Sequence, residues 1–317
     1  MLNQFVFSVN IVLPIFLLIS LGYVLRRREF LTEKFIDIGN KLMFYILLPT
    51  TLFKSGYATN LSELDSARFA IFAVATVVVS WGAVWAAGTF FIKDKKVLGS
   101  FVQGSFRANT VFVGLPLMRN LAGDAGLARF ALILAMAMPL YNICSIITLN
   151  ACGGTEEKVR IKPALLAILK NPLIIAVVIG VSFSFFEITL PVAIERALSD
   201  LSNMTSPMTL ICLGAGITFL GFNEKFKFAV VASAVKVIVL PIAFTAAAFA
   251  FGFRGLDLAA FMVLGGVPTA IVGHVMAVQM GCDTYTSSTT ILVSTLLSAV
   301  TLTMFIYFLI ATGLFIG

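Results

Sequence analysis

Two asparagines and two arginines, side chains able to hold a small anion, fall within one apolar stretch. That stretch is Phe106 to Gly123 (FRANTVFVGLPLMRNLAG), with Arg107, Asn109, Arg119 and Asn120 around a Gly114-Leu115-Pro116 interruption. A proline inside a helix removes one N–H donor and clashes with the preceding turn, so peptide groups come free where lipid offers no partner. Such a break persists only where it is buried in protein or lines a cavity. A second stretch of the same kind, Leu264 to Gly281 (LGGVPTAIVGHVMAVQMG), carries Pro268, Thr269, His274 and Gln279. Interrupted helices in corresponding halves of a membrane chain are the pattern that points to a carrier's substrate site.

The chemistry open to these residues is anion binding. Half-helix N-termini left by a break carry unpaired N–H groups and a partial positive charge, which suits a carboxylate. Arg107 sits inside an apolar run, where an unpaired charge costs at least about 2.5 kcal/mol. Its guanidinium can grip a carboxylate through two parallel hydrogen bonds, or it reaches the headgroups or pairs with an acidic side chain. Arg119, nearer the end of the run, reads as a snorkelling side chain. Asn109 offers a donor and an acceptor two residues from Arg107, or else bridges two helices.

His274 is the sole histidine, six residues past Pro268. It is either a hydrogen-bonded packing residue or a carrier of coupling protons, since no Asp or Glu falls near the centre of an apolar run. A sodium ion would need oxygens, from unwound carbonyls with Thr110, Thr269, Asn109 or Gln279. Lys236 is another costly charge inside a run, with no partner evident from sequence. Cys144, Cys152, Cys212 and Cys282 show no CxxC spacing, so neither a disulfide framework nor a metal site is expected, and no cofactor.

The elements that must hold these groups are membrane helices. Of 317 residues, 60% are apolar and 12% charged, against about 25% charged in soluble domains. Ten apolar runs can be marked, about Phe5 to Leu25, Ile36 to Ser55, Arg68 to Ile92, Leu98 to Leu121, Ala125 to Leu149, Leu165 to Phe186, Leu201 to Leu220, Phe226 to Phe253, Leu258 to Met280 and Thr286 to Phe315. They are too long and too continuously apolar for barrel strands, so the expected fold is an all-α integral membrane protein. The net charge of +7 gathers in alternate connections, around Arg26-Arg27-Arg28, Lys93 to Lys96, Lys158 to Lys162, and Lys225 and Lys227. That is a positive-inside signal rather than a nucleic-acid surface, and it places both termini outside. Residues 1–10 lack a basic n-region, so the first run reads as a span and not a leader.

The halves repeat. An offset of 158 residues carries Pro14 onto Pro172, Gly22 onto Gly180, Pro49 onto Pro207, Gly56 onto Gly214 and Gly123 onto Gly281. Five helices per unit is odd, so the second unit must be inverted. At the breaks, Gly114 and Pro116 match Gly266 and Pro268 at 152 instead. The expected division is residues 1–152, a cytoplasmic linker at 153–163 containing GGTEEKVRIK, and residues 164–317.

At Asn109-Thr110 followed by Gly114-Leu115-Pro116-Leu117, with Leu48-Pro49 in the second run and Val267-Pro268 in the ninth, the chain resembles the auxin efflux carrier family over essentially its whole length. The family's bacterial members are small ten-helix carriers and its plant members include the PIN exporters. The resemblance implies two inverted five-helix repeats. It implies a scaffold of helices one, two, six and seven, a mobile remainder, and crossover helices four and nine beside an organic anion. It carries a substrate-contacting role to Asn109 and crossover roles to Pro116 and Pro268, and it implies a bacterial inner-membrane location and a homodimer. The plant members' long hydrophilic loop is absent, and Arg107 and His274 stand outside the family pattern. The expected function is secondary transport of a mono- or dicarboxylate or an auxin-like acid, with Na+, H+ or no coupling ion. A channel shares the broken helices. A membrane enzyme is disfavoured because one histidine and no HExxH exclude the usual zinc protease arrangement, and without a GxxxxGK[ST] loop ATP-driven transport by this chain alone is unsupported.

Overall fold

The structure is a computed structural model that describes residues 2–57, 66–153, 172–217 and 221–315. The expected linker at 153–163 lies, apart from Gly153, outside the described residues. The chain is all-helical: α1 (Leu2–Arg27), α2 (Glu33–Leu42), α3 (Leu48–Tyr57), α4 (Ser66–Phe91), α5 (Lys95–Phe106), α6 (Leu115–Gly153), α7 (Pro172–Phe185), α8 (Val192–Ala215), α9 (Phe226–Ala234), α10 (Leu240–Ala250), α11 (Gly255–Gly266), α12 (Ile271–Gln279) and α13 (Thr284–Ala311). Among the described residues no strand forms, only an isolated antiparallel bridge between Ala108 and Thr269. Among the described residues five helices are long and apolar enough to cross a membrane: Asn3–Arg27, Ala67–Phe91, Thr110–Gly153, Phe226–Ala250 and Thr284–Ala311. The third of these bends sharply at Ala122 and Gly123, where Gly123 takes a left-handed φ of 59°, and so divides where the sequence reads two runs.

Three Leu-Pro pairs have the same local consequence. Pro49, Pro116 and Pro241 each follow a widened π-helical turn, at Met43–Leu47, Thr110–Gly114 and Val235–Val239. In each, the leucine N–H reaches back five residues, from Leu48 to Met43, Leu115 to Thr110 and Leu240 to Val235. A proline has no N–H for the carbonyl four residues before it and its ring would clash with that carbonyl. The wider turn relieves the clash without ending the helix. The outcome differs from the sequence expectation at Pro116: this proline widens a helix and does not break it.

Glycines set the tightest helix pairs. A Cβ added at Gly22 would lie 2.0 Å from the carbonyl oxygen of Ile211, and one at Gly214 would lie 1.9 Å from that of Ile19, so α1 and α8 touch backbone to backbone. Gly180 does the same between α7 and α3, at 2.2 Å from the carbonyl of Phe53. Close approach of this kind is how small residues join helices in lipid, where apolar burial supplies no drive. The Thr51 and Thr205 hydroxyls meet at 2.8 Å between α3 and α8, and Thr205 also donates to the Leu47 carbonyl at 3.1 Å.

At one end of the bundle Asp283 caps α13 by accepting from Thr286 N–H at 2.7 Å and pairs with Lys225 Nζ at 2.5 Å. Burial pushes the Asp283 carboxyl up, but hydrogen bonds from Lys225 and Thr286 outweigh it and hold it below the usual carboxylate range. A depressed carboxylate contributes stability that is present above its unfolded pKa of about 3.9 and lost as pH falls through the folded value. Asp283→Ala is therefore expected to lower the melting temperature at neutral pH. Below about pH 4 the gap to wild type should narrow. Melting curves in detergent across that range check it, and a gap that widens on acidification contradicts it.

Candidate transport site

The two broken segments meet. The α5 helix leaves helical geometry at Arg107, whose φ of −78° and ψ of 112° are extended. The α11 helix does the same at Val267, with φ −64° and ψ 148°. Between them the two extended segments pair for one bridge: Asn109 N–H donates to the Pro268 carbonyl at 2.8 Å, and Ala270 N–H to the Arg107 carbonyl at 3.2 Å. The Thr269 hydroxyl donates to the Gly104 carbonyl at the end of α5, and Thr269 N–H to Ser294 Oγ of α13 at 3.1 Å. Each break thus satisfies the peptide groups the other leaves free, the condition for unwound backbone at membrane depth.

Two features of the sequence expectation are corrected here. The first break falls at Arg107 to Asn109, ahead of the Gly114-Leu115-Pro116 triplet. The pairing also joins Ala108 to Thr269 instead of Pro116 to Pro268. Gly114 has a packing reason: a Cβ there would sit 2.4 Å from the Phe130 ring. Thr110 is buried as the first residue of the widened turn. Pro116 is buried in the first turn of α6, beyond the crossing.

Arg107 is 5% exposed and spans three elements. One terminal nitrogen donates to Asn142 Oδ1 of α6 at 2.7 Å, the other to Ser145 Oγ of α6 at 2.9 Å and to Met276 Sδ of α12 at 3.2 Å. Every ion pair among the described residues belongs to another cation: Arg26, Lys41, Arg129 or Lys225. Among the described residues no acidic side chain holds this guanidinium; neutral groups do. Of its five N–H bonds, two go to oxygen acceptors, and the thioether is a weak third. The site is a buried, oriented positive charge with no counter-charge among the described residues.

Orphaned amides stand beside it. Asn109 Oδ1 accepts from Phe112 N–H at 3.3 Å, while Asn109 Nδ2 is buried with no partner among the described residues. Both amide atoms of Gln103, 1% exposed on α5, are also unpartnered. Gln103 lies against the first turn of α12, where a Cβ on Gly273 would come 2.9 Å from its Nε2. Ala270, the N-cap of α12, has no side chain with which to cap those N–H groups. Sequence reading missed Gln103; its signal was a polar side chain four residues before Arg107 on the same helix face.

The remaining expected residues are divided. His274 faces away from Arg107's partner Met276: its Nδ1 meets Ser287 Oγ at 2.8 Å beside a cavity of about 180 Å³ lined by Gly216, Ile271, Thr284 and Ser288. Gln279 ends α12, and its side chain falls outside the described residues. Arg119 donates to Asn203 Oδ1 at 2.5 Å and to the Ser202 carbonyl at 3.2 Å, so it ties α6 to α8 and does not merely snorkel. Asn120 Nδ2 reaches the Ile11 carbonyl of α1 at 3.1 Å. A concavity of about 1000 Å³ runs along α4 and α10 and is almost wholly apolar. Its Thr76 and Ser80 hydroxyls are spent on carbonyls of α4, and none of the expected site residues lines it.

Long apolar helices, mutually satisfied breaks and a buried cation fit a multi-pass membrane protein, and the comparisons with known proteins make it a transporter. Residues 7–306 match the family described as membrane transport protein, and the chain belongs to that family, the auxin efflux carriers. Among curated relatives, it is 26% identical over 313 residues, 96% of each chain, to a Rhizobium meliloti protein named "Putative malonate transporter". It is 24% identical over 301 residues to an "Uncharacterized transporter" of Methanothermobacter thermautotrophicus, covering 94% of this chain and 97% of the relative. It is 23% identical over 311 residues to the "Uncharacterized transporter YfdV" of Escherichia coli, covering 95% and 97%.

Proposed function

We propose that the chain is a secondary carrier that binds a small organic anion where the two breaks cross and moves it by alternating access. The observation that carries this reading is the guanidinium of Arg107, buried among apolar helices with no counter-charge among the described residues. A charge so placed is costly unless something answers it. A carboxylate would be gripped by the planar fork, accept from Asn109 Nδ2, and lie near the uncapped α12 N-terminus and the Gln103 amide. Those groups are donors held apart from water before the anion arrives, so binding costs little rearrangement. A dicarboxylate of malonate size is the first substrate to test, because a full-length relative bears that name.

The reading includes ten spans in two inverted five-helix units, with termini outside and basic connections inside. Contacts exchanged across the offset of 158 support it. Gly22 against Ile211 and Gly180 against Phe53 are one contact with the partners' repeats swapped, and Thr205 bonds the carbonyl of Leu47, its own repeat mate. Glycine crossings interlock α1 with α8 and α3 with α7, as a rigid scaffold requires. By contrast Arg119 to Asn203 and Asn120 to Ile11 join α6 to that scaffold through hydrogen bonds that can break and re-form.

Reconstitution tests the proposal. Liposomes holding the purified protein should accumulate radiolabelled malonate, or another mono- or dicarboxylate, with saturation and without single-channel current. Repeating uptake with and without sodium at two pH values separates sodium coupling from proton coupling through His274. Absence of uptake for every acid tried, or a channel current in place of saturation, would sink the carrier.

A further inference from the structure

A second cation is buried more deeply than Arg107. Lys236 is 0% exposed, and its Nζ donates to the Gly265 carbonyl and, at 3.4 Å, to that of Leu264. These are among the last carbonyls of α11, the half-helix that stops at Gly266 where the second break begins. The final carbonyls of a helix have no intrahelical donor and carry the negative end of its dipole. Among the described residues no carboxylate pairs with Lys236.

Local structure explains how the amine arrives there. Lys236 belongs to the widened turn Val235–Val239 that Pro241 imposes, which turns it toward α11. The two backbones are in contact at this point: a Cβ on Gly265 would lie 2.8 Å from Pro241 Cα and 2.9 Å from the Leu240 carbonyl oxygen. In carriers with broken helices, unwound carbonyls and half-helix C-termini are where a coupling cation is held. Here the same groups are held by a cation on the chain itself.

We propose that the Lys236 ammonium is a tethered cation that fills the cation seat at the C-terminal end of α11, so that the break is held without a free alkali ion. The seat accepts a compact monovalent cation, and the lysine excludes sodium by occupying it. The inference stands apart from the identity of the transported anion, and its test reads stability, not transport.

Melting temperatures of purified wild type, Lys236→Ala and Lys236→Gln are compared in detergent at equal ionic strength with N-methylglucamine, sodium or ethylammonium chloride. Wild type should melt alike in all three. Lys236→Ala should melt lower in N-methylglucamine and recover most of that loss in ethylammonium or sodium, which refill the vacated seat. Lys236→Gln, a neutral donor, should stay low in N-methylglucamine. The proposal is overturned if sodium raises the wild-type melting point, which would mean an open seat. It is equally overturned if Lys236→Gln matches wild type, which would mean that a hydrogen bond suffices, or if folded Lys236→Ala ignores the ions. If Lys236→Ala folds only when prepared in ethylammonium, that supports it; if it folds in none, wild type and Lys236→Gln decide.

Discussion

Arg107→Ala is expected to lower anion uptake at sub-saturating concentration by about 100-fold, the scale for removing one partner of a buried, hydrogen-bonded charge pair. Folded protein should survive the change. A structural ion pair behaves differently, because truncating one partner strands the other charge and costs about 3–5 kcal/mol. The partners of Arg107 are Asn142, Ser145 and Met276, all neutral, so its removal strands nothing charged. The expected signature is a melting temperature equal to or above wild type together with lost uptake. Arg107→Lys keeps the charge but loses the planar fork, and should recover only part of the rate. Asn109→Asp supplies a second check: its oxygen still caps Phe112 N–H, but a negative charge replaces the free Nδ2, so uptake should fall while the turn holds. Wild-type uptake in Arg107→Ala, or a melting point that collapses with it, removes the residue from the site.

How far the residues disclose this site depends on whether their signal is local. The apolar runs, the all-helical class and the second break at Val267-Pro268 are properties of short windows, and the structure places that break where the sequence does. The first break was misplaced because Leu115-Pro116 is the more conspicuous punctuation. A proline can be absorbed by a π-helical turn, as at Pro49 and Pro241, whereas Arg107 to Asn109 unwind because a distant strand receives their peptide groups. That pairing is tertiary and leaves no mark in the window. The same holds for Lys236, whose partner is a carbonyl of α11: sequence shows the cost of the charge but not the helix end that answers it. Arg107 and Asn109 were legible because polar groups are rare in such runs. Gln103 was as unusual and was overlooked because it precedes the expected break.

Gly214→Ala should disrupt the α1–α8 crossing strongly. The added carbon would fall 1.9 Å from the Ile19 carbonyl oxygen, where even a weak C–H···O contact needs about 3.3 Å. Helices α1 and α8 must therefore separate by more than an ångström, and overpacking of this kind costs about 1–3 kcal/mol or more. Gly22→Ala presses the same crossing from the other side, with its Cβ 2.0 Å from the Ile211 carbonyl. The helices need to part only once, so the double variant should cost clearly less than the sum of the singles. Gly180→Ala, in the α3–α7 pair, should be destabilising by a similar amount through its own crossing. Gly82→Ala is the control: nothing lies within 4 Å of its Cβ, and alanine's better helix propensity should leave α4 unharmed. Size-exclusion profiles and melting curves in detergent separate these outcomes. If Gly22→Ala and Gly214→Ala are tolerated like Gly82→Ala, α1 and α8 do not meet at these glycines, and the exchanged contacts that support an inverted repeat lose their footing.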